Sequence, residues 1–231
     1  MIQRIKYVAL FYIIAIAIRY YFVVYEPSFL ALIPDAIKGL LQGISPFISG
    51  IILIYCFKRS LNYSLFSIGI KQTIFLIVLP VVLFVVASLF ETETVTISLP
   101  LLILSSILYG FFEEFGWRGY LHSELNNIRR MYKYIIISIL WYVWHLDFGF
   151  DTSHLLSYLY ILAGSIGIGY VADKSKSLIL PALFHAFFNI LLSNSLLSIS
   201  LKSKIIIVII SIVSIIVVMI FTKKKENKYV T

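Results

Sequence analysis

The chain alternates long apolar runs with short polar connections, and this alternation indicates the fold. A membrane-spanning helix needs about 20 mainly apolar residues, and eight stretches of the 231-residue chain approach that length. The pattern predicts an all-α fold, a polytopic membrane helix bundle with about eight transmembrane helices. The predicted spans are residues 5–24, 38–57, 72–90, 97–115, 134–152, 155–172, 178–197 and 204–221.

The apolar runs follow one another without a flexible linker or an internal repeat. The sequence therefore predicts a single membrane domain, residues 1–231, with a motif-bearing core at about 97–198. The first run lacks a small-residue cleavage site and is predicted to remain as an uncleaved helix. Residues 120–132 mix polar and apolar positions, which predicts a short amphipathic helix on the cytoplasmic surface.

The composition is typical of a membrane protein and limits the classes of partner that the chain is expected to bind. The chain is 61% hydrophobic and 13% charged, whereas a soluble domain carries roughly 25% charged residues. Its net charge of +8 comes from basic residues in short clusters between apolar runs. That distribution favours membrane orientation over nucleic-acid binding. The expected partners are membrane lipids and a peptide or protein substrate at the membrane, and no nucleic acid.

The charges between the runs also predict orientation. Basic connections such as Lys58-Arg59 and Arg129-Arg130 alternate with acidic ones such as that containing Asp147. Because basic loops face the cytoplasm, eight spans place both termini there. We expect a multi-pass protein of the cell membrane.

Three ionisable side chains end the fourth apolar run, where an unpaired charge is costly to bury. Glu113 and Glu114 are adjacent, and Arg118 follows Glu114 by four residues. On a continuing helix Glu114 and Arg118 face each other, whereas Glu113 points about 100° away. A carboxylate left free in a desolvated site suits a general base, and we predict that role for Glu113.

Two later runs carry groups that would complete such a site. His185 and Asn189 are four residues apart and share a helix face, as two donors to an oxyanion would. His145 follows Trp141 by one helical turn, and the indole is expected to wall its pocket. Counted along their spans, these groups reach compatible depths. The sequence predicts a shared active site in the cytoplasmic half of the bilayer.

Each element alone also has a plain structural interpretation. A single histidine can be a packing residue, the Glu114–Arg118 pair can be a structural bridge, and Asn189 can join two helices. Ionisable groups within a membrane are functional by default, and their coincidence at one depth favours a functional site. A transporter would use similar groups, but the repeats or paired broken helices expected of one are not evident. A non-catalytic immunity or scaffold protein is the other alternative.

The three motifs resemble those of the CPBP family, intramembrane proteases that include the type II CAAX prenyl endopeptidases and the bacterial Abi proteins. That family carries Glu-Glu-x-x-x-Arg, aromatic-x-x-x-His and His-x-x-x-Asn/Asp motifs on successive helices. Phenylalanine is the commoner aromatic in the second motif. Here the motifs read Glu113-Glu114-Phe-Gly-Trp-Arg118, Trp141-Tyr-Val-Trp-His145 and His185-Ala-Phe-Phe-Asn189.

The resemblance implies an endopeptidase acting near the membrane surface, and it implies a role for each motif. The first carboxylate and the histidine of the second motif would activate the attacking water. The third motif would stabilise the tetrahedral oxyanion. The remaining carboxylate and the arginine would hold the geometry. The catalytic set is therefore Glu113, His145, His185 and Asn189, supported by Glu114 and Arg118.

The resemblance leaves the cofactor open. Glu113, His145 and His185 could form a three-ligand zinc site with an open position, as in a metalloprotease. The chain lacks the His-Glu-x-x-His arrangement of ordinary zinc proteases. Water activation by glutamate without a metal is favoured over bound zinc.

The implied substrate is equally open. Prenylated CAAX proteins are the eukaryotic substrates of the family, whereas the heavy use of isoleucine, lysine and asparagine here is typical of a bacterial chain. Bacterial relatives are associated with bacteriocin self-immunity and with maturation of exported peptides. Both roles are expectations for this chain.

Overall fold

The structure is a computed structural model, and it describes residues 2–91, 98–192 and 199–228. Within these ranges the chain is helical apart from its connections, and the β-type pairing is one isolated bridge between Ser64 and Ser177. Helical turns of other types are the π-helical Tyr21–Tyr25 and Phe115–Leu121 and the 3₁₀-helical Ser28–Leu32. The α-helices are α1 Ile2–Tyr20, α2 Asp35–Gly43, α3 Ser45–Cys56, α4 Ile70–Glu91, α5 Ser98–Glu114, α6 His122–Glu124, α7 Arg130–Trp144, α8 Thr152–Ser175, α9 Ile179–Leu192 and α10 Leu201–Lys228.

The helices support a membrane bundle. In the described ranges four of them are long and apolar enough to cross a membrane alone, and the α2–α3 pair, bent by 47°, gives up to five. A helix lies at each predicted span, but α5, α7 and α9 are too short to meet that test. The number of eight spans therefore stays a prediction. Residue 97 and residues 193–198, which belong to the predicted spans and core, lie outside the described residues.

The predicted span 134–152 is wrong at its C-terminal end. α7 ends at Trp144, because Leu146 takes a left-handed φ of 59° that stops a helix. Asp151 then caps the start of α8 through its side chain. His145 consequently lies at the end of α7, next to an exposed connection, rather than within a span.

The predicted surface helix over residues 120–132 is also wrong. The chain continues the helical path of α5 as far as Glu124, and the side chains of these last turns are buried. His122, which the sequence placed on the surface, is fully buried. The connection between α3 and α4 covers this segment, where Arg59 Nε pairs with Glu124 Oε1 at 2.8 Å. Polar side chains are tolerated here because a distant loop satisfies them.

Basic side chains from separate connections gather at one end of the bundle. Arg4 donates to the backbone oxygen of Glu124 at 3.4 Å, and Arg130 Nε lies 3.4 Å from Asp173. Tyr63 donates to the same aspartate at 3.0 Å, and burial raises the pKa of its phenol well above the usual range. The predicted basic loops therefore share one side. That this side is the cytoplasm, with both termini there, stays a prediction.

Close packing of α5 against α9 positions the two helices that carry most of the site. A Cβ added at Gly110 would lie 2.6 Å from the backbone oxygen of Ala182, so only glycine permits this approach. Small residues allow membrane helices to pack backbone to backbone in this way. The contact lies one turn before Glu114 and opposite the turn that carries His185.

We expect Gly110→Ala to lower the thermal stability of the protein. The added methyl group must displace the α9 backbone, and overpacking of this kind costs about 1–3 kcal/mol. Gly167→Ala is the matched control, because nothing lies within 4 Å of a Cβ at that helical glycine and alanine is the better helix former. Thermal unfolding in detergent measures both variants. A Gly110→Ala protein as stable as Gly167→Ala would contradict the close approach.

Candidate active site

A buried ion pair and a histidine form the centre of the site. The side chains of Glu114 and Arg118 are fully buried, and Arg118 Nη1 donates to Glu114 Oε1 at 3.0 Å. His185 Nδ1 lies 2.7 Å from the same oxygen. The Arg118 guanidinium also stacks 4.6 Å from the centre of the Trp141 ring. The predicted pairing of Glu114 with Arg118 is present, and His185 adds a second partner that spacing alone did not indicate.

Glu113 points away from that pair, as the helix spacing predicts. Its Oε2 accepts a hydrogen bond from Trp141 Nε1 at 2.7 Å. Its Oε1 is buried and has no hydrogen-bond partner in the described part of the chain. Leaving a buried carboxylate oxygen without a donor is costly. Glu113 therefore presents an unsatisfied acceptor inside the bundle, suited to bind a water proton.

His145 lies at the end of α7 and is half-buried between two indoles. Its ring centre is 5.9 Å from that of Trp141 and 5.3 Å from that of Trp144. Nδ1 is 2.8 Å from the backbone oxygen of Trp141. A carbonyl only accepts, so Nδ1 carries a proton, and in the neutral ring Nε2 then keeps its lone pair. Trp141 thus contacts Glu113 through its indole and His145 through its backbone.

Asn189 follows His185 by one turn of α9 and is half-buried. In the described ranges its amide makes no hydrogen bond. The His185 ring lies 5.2 Å from the Trp141 ring and 5.9 Å from the Tyr109 ring. The structure thus brings His185 into the cluster and leaves Asn189 beside it with unused donors.

Three side chains of the site were considered as zinc ligands from the sequence. Among the described residues, no three His, Cys, Asp or Glu side chains are arranged to hold a metal ion. Glu113 Oε2 is held by Trp141, His185 Nδ1 by Glu114 and His145 Nδ1 by the Trp141 carbonyl. Glu113 Oε1 and the two Nε2 atoms remain, so the three-ligand zinc site stays an alternative to water activation without a metal. No step proposed below passes through a metal.

The depth of the site follows from helix lengths. Glu113 precedes Glu124, at the basic end of the bundle, by about 16 Å of helix, and His145 follows Arg130 by about 22 Å. A hydrocarbon layer is about 30 Å thick. Counted from the basic end of the bundle, Glu113 thus lies about half a hydrocarbon thickness along its helix and His145 further. The placement of the site in the cytoplasmic half stays a prediction.

Three residues near the site were missed from the sequence. Arg19 lies over the Trp144 ring, with Cζ 4.3 Å from the ring centre. The Tyr109 phenol lies beside both the Glu113 and the Arg19 side chains. Arg19 was detectable, because it is a charged residue inside the apolar run 5–24. Tyr109 and Trp144 carry no such signal in an aromatic-rich chain.

Comparison with known proteins identifies the region that holds these groups. Residues 94–191 match the family model described as type II CAAX prenyl endopeptidase, Rce1-like. All three motifs lie inside that range. Arg19, on α1, lies outside it.

Curated relatives agree with this match. CAAX prenyl protease 2 of Methanococcus maripaludis is 29% identical over 150 residues, which cover 58% of this chain and 53% of the relative. Lysostaphin resistance protein A of Staphylococcus haemolyticus is 26% identical over 167 residues, covering 63% and 46%. Its counterpart in Staphylococcus epidermidis is 23% identical over 167 residues, covering 63% and 44%. The chain thus spans about half the length of the curated relatives it matches.

Proposed function

Because this chain belongs to the CPBP family through residues 94–191, we propose that it is an intramembrane endopeptidase that hydrolyses peptide bonds of membrane-associated peptides or proteins. One observation carries the proposal. Glu113 is a buried carboxylate with one oxygen held by Trp141 and the other without a partner among the described residues. A general base needs a positioned carboxylate with a free acceptor.

Glu113 and His145 activate the attacking water in this proposal. Glu113 Oε1 accepts a proton from the water as the water oxygen bonds to the carbonyl carbon of the scissile peptide. His145 accepts the second water hydrogen at Nε2, which orients the nucleophile without removing that proton. This requires the neutral ring with its proton on Nδ1, and the contact of Nδ1 with the Trp141 carbonyl supports that position of the proton.

His185 and Asn189 stabilise the oxyanion that the carbonyl oxygen becomes. The His185 imidazolium directs its Nδ1 proton to Glu114 and donates from Nε2, and the Asn189 amide donates from the next turn. When the tetrahedral intermediate collapses, the carbon–nitrogen bond breaks and the proton on Glu113 passes to the leaving nitrogen. One water is consumed, and Glu113 returns to its ionised form.

Glu114 and Arg118 position the catalytic groups. Glu114 accepts from both Arg118 and His185, which fixes the His185 ring. Arg118 also stacks on Trp141, the residue that holds Glu113. Such an outer layer of partners is what keeps catalytic side chains in a productive geometry.

A non-catalytic resistance or immunity protein is the second candidate. The name Lysostaphin resistance protein A of the staphylococcal relatives favours it, since resistance does not by itself require proteolysis. Bacteriocin self-immunity and maturation of exported peptides are the two physiological roles we propose for the peptidase. Neither role is needed for the chemistry above.

Cleavage of a pool of lipid-anchored peptides by the purified, detergent-solubilised protein tests the proposal. We expect the wild type to cleave and a metal chelator to leave the rate unchanged. His145→Gln should lower kcat by roughly 10²-fold, the cost of misplacing a reacting group, because His145 orients the attacking water.

His154→Gln is the matched control, because that histidine pairs with Asp151 and Asp147 in the exposed connection before α8. It should cleave at the wild-type rate. A well-folded wild type that cleaves nothing would instead favour the resistance candidate. Loss of activity with chelator would overturn the metal-free mechanism.

A further inference from the structure

Arg19 carries a charged group inside the apolar first helix, and its partners are all neutral. Its Nη1 donates to the backbone oxygen of Gln42 at 2.7 Å, and its Cζ lies 4.3 Å from the centre of the Trp144 ring. The Tyr109 phenol is a further neighbour. Its Nε is buried without a hydrogen-bond partner, and within the described ranges no carboxylate forms a salt bridge with it.

Membrane anchoring does not explain this arginine. The other arginine of α1, Arg4, contacts the backbone of Glu124 at the basic end of the bundle. Arg19 lies about 22 Å further along the helix, away from the gathered basic loops. An unpaired guanidinium at such a depth is expensive and is retained where it binds something.

We propose that Arg19 binds a carboxylate of the peptide substrate and thereby sets the specificity of the site; this inference rests on the proposed endopeptidase function. The planar guanidinium matches a carboxylate in shape and charge. Stacking on Trp144 fixes its plane, and the bond to Gln42 fixes its rotation. Nε remains available to donate to the incoming oxygen.

The geometry also limits where that carboxylate lies in the substrate. Arg19 and His145 both contact Trp144, with 4.3 Å from Arg19 Cζ to the indole centre and 5.3 Å from that centre to the imidazole centre. An extended peptide rises by about 3.4 Å per residue. These two distances set an upper limit on the separation of the guanidinium and the imidazole, so the bound carboxylate lies within about three residues of the attacked bond. It comes from the C-terminus of the peptide or from an acidic side chain.

Three lipid-anchored peptides that share the residues at the cleaved bond distinguish these two sources of the carboxylate. The first ends in a free carboxylate, the second in a carboxamide, and the third in a carboxamide with a glutamate placed three residues from the cleaved bond. Each is assayed with wild type, Arg19→Gln and the control Arg4→Gln, which removes the other arginine of α1.

We expect the wild type and Arg4→Gln to cleave one of the two acidic peptides with a kcat/KM about tenfold or more above that of the neutral peptide, because a hydrogen bond to a charged group is worth roughly 1.5–3 kcal/mol. The difference should lie mainly in KM. Arg19→Gln should cleave all three at the level of the neutral peptide. An equal loss on all three peptides would show a structural role and overturn the inference.

A binding measurement tests the role of Arg19 separately from the proposed reaction. All three tryptophans, Trp117, Trp141 and Trp144, lie in or beside the site, so their fluorescence reports ligand binding without turnover. In Glu113→Gln protein we expect tighter binding of an acidic peptide than of the neutral one, and loss of that preference when Arg19→Gln is added. Equal affinities overturn the role of Arg19 even where cleavage occurs. If the wild type cleaves no peptide but acidic peptides still bind more tightly than the neutral one, the result counts against the proposed reaction and not against the role of Arg19.

Discussion

Glu113→Gln abolishes peptide cleavage and leaves the fold intact; this is the largest catalytic effect expected of a single substitution. The carboxamide has the shape of the carboxylate, and its oxygen can still accept from Trp141 Nε1. It cannot take a proton from water at neutral pH. We therefore expect kcat to fall by about 10²–10⁴-fold or more, the range for loss of a positioned general base.

Turnover of the lipid-anchored peptides measures the loss, and circular dichroism with thermal unfolding measures the fold. Glu26→Gln is the matched control, since Glu26 pairs with Lys38 on the exposed surface. It should retain wild-type turnover and stability. If Glu113→Gln cleaved at a rate near the wild type while Glu26→Gln did the same, Glu113 would not be the base.

The neighbouring carboxylate, Glu114, should respond differently to the same substitution. Glu114 is already held at Oε1 by Arg118 and His185, so this carboxylate is committed to structure. Glu114→Gln weakens both contacts and should reduce stability together with activity. The contrast between two adjacent glutamates follows from their partners, because their burial is the same.

Local spacing explains why much of this site could be predicted from the sequence. Glu114 and Arg118 are one helical turn apart, so their pairing needs no knowledge of other helices. The 100° rotation of Glu113 is equally local. The expected wall at Trp141 was close to the observed arrangement, but its hydrogen bond to Glu113 depends on how α7 packs against α5 and was not predictable from either segment.

Features that depend on residues far apart in the chain could not be predicted from the sequence. The end of α7 depends on a left-handed backbone at Leu146, a conformation that leucine rarely adopts. The burial of Glu124 depends on Arg59, which is far away along the chain. The number of membrane-spanning helices was difficult to predict for a related reason. The helix that begins as α5 continues beyond Glu114 only as the π-helical segment Phe115–Leu121. Hydropathy alone describes none of these contacts.

Arg118→Ala is expected to cause the largest loss of stability of any substitution considered. Removing one partner of a buried ion pair leaves the other charge uncompensated, which costs about 3–5 kcal/mol. His185 keeps one contact with Glu114, but the stacking of the guanidinium on Trp141 is also lost. Thermal unfolding in detergent should show a large fall in melting temperature, and peptide turnover should fall with it.

A double variant separates the uncompensated charge from the lost contacts. In Arg118→Met with Glu114→Gln both charges are removed and most of the volume is kept, so stability should recover part of the loss, because buried pairs replaced together are often nearly neutral. Lys38→Met is the control, since it breaks the exposed pair with Glu26 and should cost at most about 1 kcal/mol. If the double variant were no more stable than Arg118→Ala, packing and hydrogen bonding rather than buried charge would hold this centre together. If it recovered stability but not turnover, the ion pair would serve catalysis by orienting His185.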